Sequence, residues 1–279
     1  IYKPKGMTSH DVISVLRKIL KIRQIGHAGT LDPFAEGVLP VAFGKATRLI
    51  EYLNGDKAYT ATVQFGKNTD TYDIDGVVTE TFDKKLTEKE LKNALKNFEG
   101  EIIQTPPMYS AIKVNGKKLY EYARDGKSAE IPVRKVFIKS ISLNMFDFEN
   151  QIAEISVVCS KGTYIRSIAY DLGKYTGCGA YLSKLVRTKS GMFYIDNSIN
   201  LQDFTDADFV NRHIINPLEM IDLPKITINE EEYKKVVCGQ ILLNNSQFLN
   251  DLVILVYNNS ISAVALAQRE IIKVKKVFV

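Results

Sequence analysis

Residues 26–40 read GHAGTLDPFAEGVLP and form the most unusual stretch of the sequence. Three glycines and two prolines in fifteen residues exclude a long helix or strand here. Apolar residues are interleaved with them, so we expect a packed loop. Asp32 precedes Pro33, which biases it to an extended or turn conformation. A carboxylate on a rigid, partly buried loop suits a nucleophile or a base, whereas its structural alternative is an aspartate that turns the chain.

Regular elements can be read on both sides of this loop. Apolar residues at helical spacing predict helices after Thr8 or Ser9, after Thr87 and after Thr163. Thr87 and Glu90 have the spacing of a capping box, and Gly100 is the expected end of that helix. Thr163 is the expected N-cap of the third helix. Alternating or apolar runs predict strands at 59–65, 133–146, 152–158, 252–256, 261–266 and 271–277.

The order of these elements favours one fold class. Helices and strands are mixed without a βαβ rhythm, so the sequence predicts an α+β fold rather than a doubly wound sheet. Short strands dominate after Leu223–Pro224. We therefore predict two domains, one of residues 1–223 and a small β-barrel of residues 224–279.

Positive charge is concentrated in one segment of the chain. The whole sequence carries 37 basic and 32 acidic residues, a net charge of +5, and residues 110–139 alone carry eight basic and three acidic residues. Tyrosines and glycines punctuate the same segment, a composition that suits phosphate contact and base stacking, although a solvated loop is the alternative. The candidate RNA-contacting side chains are Lys113, Lys117, Lys118, Arg124 and Lys127.

Several kinds of site are not supported by the sequence. The three cysteines are far apart and form no CxxC pair, and no phosphate-loop, dinucleotide-binding or zinc-protease motif is present. We therefore expect neither a metal ion nor a cofactor. The apolar runs are too short to span a bilayer, so we expect no membrane association and a reduced, cytoplasmic setting.

Residues 26–40 closely resemble the GH-x-G-x-LDP-x-A-x-GVLP signature of the TruB family of tRNA pseudouridine synthases. The agreement continues, in the family's order, through residues 3–9, 69–76, 107–111, 116–124 and 159–166. The resemblance implies a pseudouridine synthase fold with a mixed, mostly antiparallel central sheet. It also implies a C-terminal PUA-like barrel and an RNA-gripping thumb loop at 109–132.

The resemblance further implies a reaction and a substrate. Family members convert uridine 55 in the T arm of tRNA to pseudouridine after flipping the base, without metal or cofactor. The chain resembles the bacterial type of the family, and this resemblance implies a monomer that binds tRNA without an obligate protein partner. It also implies a second role as a tRNA folding chaperone. The alternatives are a non-catalytic RNA-binding protein on the same scaffold and a dyskerin-type enzyme within a guide-RNA particle.

Four residues align with the family's catalytic positions. Asp32 aligns with the catalytic carboxylate, which attacks the sugar or first deprotonates it; the sequence leaves both routes open. Arg166 aligns with the arginine that pairs with this carboxylate, and Asp73 aligns with a carboxylate that steadies the arginine. Tyr164 aligns with a tyrosine that is a candidate for transfer of the C5 proton and a part of the substrate site.

Three more residues align with substrate-binding positions of the family. Tyr59 aligns with the tyrosine that stacks on the target base, and Leu185 aligns with a leucine that lines the uracil site. His27 aligns with the histidine that enters the disrupted T loop. Taken alone, each is equally compatible with an ordinary buried residue.

Overall fold

We analysed a computed structural model that describes residues 1–126 and 129–278. The chain divides into two compact units built from interleaved segments. The first unit comprises residues 1–12, 29–40 and 55–203, and the second comprises residues 13–28, 41–54 and 204–279. The boundary between residues 223 and 224 stays a prediction, because a single cut does not describe these units.

The described residues form both helices and strands. The strands are β1 (Tyr2–Lys3), β2 (Ile25–His27), β3 (Glu36–Val38), β4 (Val41–Phe43), β5 (Lys57–Phe65), β6 (Lys67–Thr69), β7 (Val78–Thr81), β8 (Gly100–Gln104), β9 (Lys113–Val114), β10 (Lys117–Lys118), β11 (Arg134–Asp147), β12 (Ile152–Cys159), β13 (Ala180–Ser190), β14 (Phe193–Tyr194), β15 (Lys225–Thr227), β16 (Leu242–Leu243), β17 (Asp251–Tyr257), β18 (Ser260–Ala267) and β19 (Ile271–Val277). The α-helices are α1 (Ser9–Leu20), α2 (Glu88–Leu95), α3 (Leu119–Arg124), α4 (Ile165–Thr176), α5 (Ala207–His213), α6 (Pro217–Met220) and α7 (Glu230–Val237).

An eight-stranded sheet forms the centre of the first unit. Its strand order is β1-β3-β13-β5-β12-β11-β8, with β14 paired to β13. The pair of β13 with β3 is parallel and the other pairs are antiparallel. Along β5 every second residue is buried, from Tyr59 to Phe65, and joins a core to which α2 and α4 contribute. The predicted α+β fold with a mixed, mostly antiparallel sheet is therefore confirmed.

Helix α2 begins as the sequence predicts but ends earlier. The Thr87 hydroxyl accepts a hydrogen bond from the Glu90 amide at 3.3 Å, and the Glu90 carboxylate accepts one from the Thr87 amide at 2.9 Å. The helix ends at Leu95 and not beside Gly100. A 3-10 turn over Lys96–Phe98 follows, which buries the Phe98 ring in the core. Gly100 instead begins strand β8.

The second unit contains a five-stranded sheet of order β15-β17-β18-β19-β16. Strands β17, β18 and β19 lie where the sequence predicts three short strands. Strand β15 adds to β17 in parallel, and β16 adds to β19 in antiparallel orientation. One face packs on α7 through Val236 and the other on the 3-10 helix Gly44–Tyr52 through Leu49. This half-barrel sheet is consistent with the PUA-like domain that the resemblance implies.

Arg187 of β13 holds the loop that carries Asp32. It is fully buried, and its guanidinium donates to the carbonyl oxygens of Val38 (2.7 Å) and Gly29 (3.0 Å) and, at 3.4 Å, of Thr30. Burial lowers the pKa of Arg187. Its own backbone is equally close to the loop, because a Cβ at Gly37, where φ is +107°, would lie 2.3 Å from the Arg187 carbonyl oxygen.

We predict that Arg187→Met lowers the free energy of unfolding by about 3 kcal/mol or more. It leaves carbonyl oxygens at both ends of the loop without their donor, and each buried group left unpaired costs about 1–3 kcal/mol. Urea denaturation measures the change. The control is Lys184→Met on the same strand, where an exposed ion pair with Glu36 at 3.5 Å is lost. Equal losses in both variants would contradict the prediction.

Candidate active site

Arg166, in the first turn of α4, is the centre of a buried ion-pair network. Its side chain is 4% exposed. The Nε atom lies 2.9 Å from Oδ2 of Asp32, and a terminal nitrogen donates to Oδ1 of the same carboxylate at 3.1 Å. The guanidinium therefore contacts both oxygens of Asp32, with one hydrogen bond from the terminal nitrogen and an ion-pair contact from Nε that lacks hydrogen-bond geometry.

The remaining donors of Arg166 bind three further acceptors. The NH1 nitrogen donates to the carbonyl oxygen of Thr71 at 3.0 Å and lies 3.3 Å from Oδ2 of Asp73. The NH2 nitrogen also donates to the carbonyl oxygen of Tyr109 at 2.9 Å. The structure thus brings Asp32, Asp73 and Arg166 together.

The two carboxylates differ in their access to solvent. The Asp32 side chain is 33% exposed, whereas that of Asp73 is 7% exposed. Burial raises the pKa of Asp73, although the Thr71 hydroxyl, at 2.6 Å from Oδ1, and Arg166 act in the opposite direction. Asp32 is consequently the carboxylate of this pair that a ligand can reach.

The predicted packed loop of residues 26–40 is shorter in the structure: residues 28–35 form a loop, with β2 ending before it at His27 and β3 beginning after it at Glu36. The Ala35 amide donates to the Asp32 carbonyl at 3.1 Å. The ammonium of Lys3 lies beneath the loop and donates to the carbonyl oxygens of Ala35 at 2.7 Å and Pro4 at 2.8 Å. Burial lowers the pKa of Lys3 to about 8. Backbone carbonyl groups, rather than side chains, therefore anchor this part of the loop.

Lys57 is a second, partly buried cation beside this loop. A Cβ at Gly29, where φ is +96°, would lie 2.8 Å from the Lys57 Nζ atom. Burial, with Arg187 nearby, lowers the pKa of Lys57 to about 8. The ammonium at the end of this flexible side chain lies where a Cβ at position 29 would be, and the positive φ of Gly29 is what favours glycine there.

Tyr164 lies directly before α4, and its backbone is held by Gln104. The Tyr164 amide donates to Oε1 of Gln104 at 2.7 Å, and Nε2 of Gln104 donates to the Tyr164 carbonyl at 3.0 Å. The prediction that Thr163 caps the helix is wrong. The Thr163 hydroxyl donates to the Ser160 carbonyl at 2.9 Å, and α4 begins at Ile165 with Tyr164 as its N-cap residue. The Arg134 guanidinium lies 5.5 Å from the centre of the Tyr164 ring.

The three residues predicted to bind substrate occupy different elements. Tyr59 on β5 and Leu185 on β13 are buried in the first unit, and burial raises the pKa of Tyr59 to about 12. His27 lies on β2 in the second unit, opposite Val41 of β4. Their roles stay predictions.

The predicted thumb loop contains a small hairpin and a helix. Strands β9 and β10 are joined by Asn115 and Gly116, both with positive φ, as in a type I′ turn. Helix α3 follows, and its Leu119 side chain is buried. The Tyr122 hydroxyl donates to the Val114 carbonyl at 3.2 Å and ties the helix to the hairpin.

The basic side chains of this segment pack on its own tyrosines. Lys117 forms an ion pair with Asp125 and lies over the ring of Tyr122. Lys118 and Arg124 lie 5.3 and 5.4 Å from the centre of the Tyr120 ring. Lys113 is exposed, and Lys127 lies outside the described residues. Contact of these side chains with RNA stays a prediction.

Sequence reasoning missed three groups that shape the site. Arg187 could not be singled out, because an arginine is ordinarily expected at the surface. Gln104 ends a strand and gave no signal of its own. The Tyr109 carbonyl could not be found from a side-chain pattern, because it is a backbone group.

The described residues lack both a metal-binding cluster and a membrane-spanning helix. They contain no cluster of three or more His, Cys, Asp or Glu side chains that could hold a metal ion. Among their helices, none is long and apolar enough to cross a membrane.

Comparison with known sequences gives consistent matches. Residues 17–165 match the TruB family pseudouridylate synthase N-terminal domain, and residues 166–221 match the tRNA pseudouridylate synthase B C-terminal domain. The tRNA pseudouridine synthase B of Staphylococcus aureus (strain JH9) is 42% identical over 298 aligned positions, covering 100% of this chain and 97% of that protein. The protein of the same name from Carboxydothermus hydrogenoformans is 48% identical over 246 positions, covering 86% and 83%.

Solved structures show a similar fold. An H/ACA ribonucleoprotein bound to a substrate RNA containing 2′-deoxyuridine contains a chain that is 26% identical, with a TM-score of 0.71. An archaeal box H/ACA complex contains a chain that is 27% identical, with a TM-score of 0.73. The matches cover 100% of this chain and 83% and 84% of those chains.

Proposed function

This chain belongs to the TruB family of pseudouridylate synthases, and we propose that it isomerises uridine 55 in the T arm of tRNA, with Asp32 as the catalytic carboxylate. The general activity of an isomerase that forms pseudouridine in tRNA follows from family membership. The reaction breaks the N1–C1′ bond, turns the uracil, and joins C5 to C1′. The target base must first leave the structured arm, since its reacting atoms are inaccessible within a stack.

The assignment of Asp32 depends on one observation. Two carboxylates bind the same guanidinium, and the Asp32 side chain is 33% exposed whereas that of Asp73 is 7% exposed. Each carboxylate oxygen has more lone pairs than its contact with Arg166 uses. Asp32 can therefore face the ribose while Arg166 still holds it. From this position it either attacks the sugar or first removes a sugar proton.

The other residues have supporting roles in this proposal. Arg166 compensates the charge of Asp32 and fixes its orientation, and Asp73 holds Arg166 in turn. Tyr164 is the candidate for moving the C5 proton after the new bond forms. Tyr59 supplies a ring for stacking and Leu185 an apolar wall for the uracil. His27 is the candidate for contact with the disrupted T loop.

We assign the grip on tRNA to the segment of β9, β10 and α3. Its basic side chains already lie on tyrosine rings, which makes a surface that is both cationic and aromatic. Such a surface suits phosphates and unstacked bases together. The ion pair of Lys117 with Asp125 is exposed, so exchange of Asp125 for a phosphate costs little.

We propose that the chain works without a guide RNA, as a monomer in the cytoplasm that needs no obligate protein partner. The relatives named tRNA pseudouridine synthase B are 42–48% identical, whereas the chains in H/ACA particles are 26–27% identical. The higher identity supports the tRNA-specific alternative over the guided one.

We predict that Asp32→Asn abolishes pseudouridine formation and leaves tRNA affinity nearly unchanged. The amide cannot act as a nucleophile or base, while the phosphate contacts remain. The assay maps pseudouridine in an unmodified tRNA transcript, alongside a binding titration. Asp83→Asn, at an exposed position, is the control. Turnover within about tenfold of the parent, a barrier change of only about 1.4 kcal/mol, would refute the assignment. Refolding of misfolded tRNA by Asp32→Asn tests the chaperone role separately.

We predict that Arg166→Lys slows the single-turnover reaction by about a hundredfold or more. Lysine keeps the charge but has no planar fork, so it cannot hold Asp32, Asp73 and the Tyr109 carbonyl together, and small misplacements cost about that much. Asp73→Asn should slow the reaction less. Arg48→Lys in the second unit is the matched control. Parent-like rates for both active-site variants would exclude the network from catalysis.

We predict that Lys117→Gln, Lys118→Gln and Arg124→Gln together weaken tRNA binding and flatten its salt dependence. Each lost phosphate contact should reduce the slope of log K against log salt by about 0.7–0.9. Titrations at several salt concentrations measure this. The control removes three exposed lysines on and after α2 (Lys89→Gln, Lys92→Gln, Lys96→Gln). Equal slopes for the two triple variants would mean that the thumb charges are ordinary surface charges.

A further inference from the structure

The turn that carries Asp73 contains a residue in an unfavourable conformation. Tyr72 has a φ of +62°, in the left-handed region that is unfavourable for a residue with a side chain. Glycine would adopt it without that cost. The Tyr72 amide donates to the Thr69 carbonyl at 3.2 Å, and the Tyr72 carbonyl accepts from the Leu182 amide at 3.0 Å. Backbone hydrogen bonds of both the amide and the carbonyl of Tyr72 therefore hold this conformation.

Tyr72 lies between two acceptor groups that both contact the NH1 nitrogen of Arg166. The carbonyl oxygen of Thr71 precedes Tyr72, and the carboxylate of Asp73 follows it. Both lie against NH1 of Arg166, at 3.0 and 3.3 Å. Because the backbone reverses direction at Tyr72, the residues on either side of it, Thr71 and Asp73, both reach this nitrogen. Nε and NH2 of Arg166 are then left for Asp32 and Tyr109.

The side chain of Tyr72 connects this turn to the helix that carries Arg166. Its ring stacks on that of Tyr170, with centroids 4.0 Å apart and planes 15° from parallel. Tyr170 lies four residues after Arg166 on α4, and residues at this spacing share a helix face. Burial, with Tyr170 and Asp171 beside it, raises the pKa of Tyr72 to about 12, so the ring is neutral at physiological pH.

We propose that Tyr72 and Tyr170 are positioning residues for the reaction: their stacked rings hold the turn against α4, so that Thr71 and Asp73 occupy NH1 of Arg166 and its other nitrogens remain on Asp32. Neither ring is assigned a contact with substrate. The inference rests on the proposed function, because it concerns the residues assigned to catalysis there. A ring stack of this kind is favourable beyond the area it buries, and so opposes the cost of the left-handed residue.

The test uses Tyr170→Leu, which removes the stack without replacing a residue of the turn, and Tyr72→Phe, which keeps the stack without the hydroxyl. We expect Tyr170→Leu to reduce the single-turnover rate at saturating tRNA by about tenfold to a hundredfold, since a displaced guanidinium misplaces Asp32. The dissociation constant for tRNA should change by less than about twofold, and Tyr72→Phe should behave as the parent. Tyr175→Leu is the matched control on the same helix, where an edge-on contact with Phe98 at 6.4 Å is lost.

A second comparison separates positioning from general stability. If the stack acts through the turn, Tyr170→Leu should add no further loss of rate to Asp73→Asn, so the double-mutant cycle should be strongly non-additive. Additive losses, or equal losses for Tyr170→Leu and Tyr175→Leu, would overturn the inference. A normal rate for Asp73→Asn would instead refute the role of Asp73 in the proposed function. A slow Asp73→Asn with a normal Tyr170→Leu would refute the positioning role alone.

Discussion

The buried guanidinium of Arg166 is the interaction on which the site depends. A buried cation is costly unless charge and hydrogen bonds compensate it, and removal of one member of such a group is far more harmful than its net contribution suggests. Here the compensation comes from Asp32, from the turn of Thr71 and Asp73, and from the Tyr109 carbonyl. These groups are distant in sequence. The fold brings them together because α4 begins shortly after β12 ends, beside the loop that precedes β3 and the turn that follows β6.

In this arrangement the two carboxylates that contact Arg166 have different surroundings. Asp73 is enclosed and serves the guanidinium, whereas Asp32 keeps an exposed face. Beneath the Asp32 loop, Lys3, Lys57 and Arg187 add positive charge and use backbone carbonyl groups or close backbone contacts in place of carboxylates. Asp32 and the supporting cations therefore have different partners: Arg166 contacts the Asp32 carboxylate, whereas Lys3 and Arg187 donate to backbone carbonyl groups of the loop.

Much of the fold could be predicted because its signals are local. The alternation along β5, the capping box at Thr87 and the short C-terminal strands each reflect neighbouring residues, and the structure contains them. The end of α2 was missed because burial of Phe98 overrides the glycine signal at Gly100. The cap of α4 was missed because Gln104, sixty residues earlier in the chain, replaces the expected local cap. Asp32, Asp73 and Arg166 were found through a motif, whereas their shared carbonyl partners have no sequence signature.

The hold of Arg187 on the Asp32 loop has a consequence for how this loop tolerates variation over evolution. The guanidinium binds the main-chain oxygens of Gly29, Thr30 and Val38, which every amino acid possesses. Position 30 can therefore drift among small residues without loosening the attachment. Gly29 and Gly37 have no such latitude, because both have a positive φ and a Cβ at Gly37 would also lie 2.3 Å from the Arg187 carbonyl oxygen. Evolution must therefore keep glycine at positions 29 and 37, and arginine at position 187 on β13.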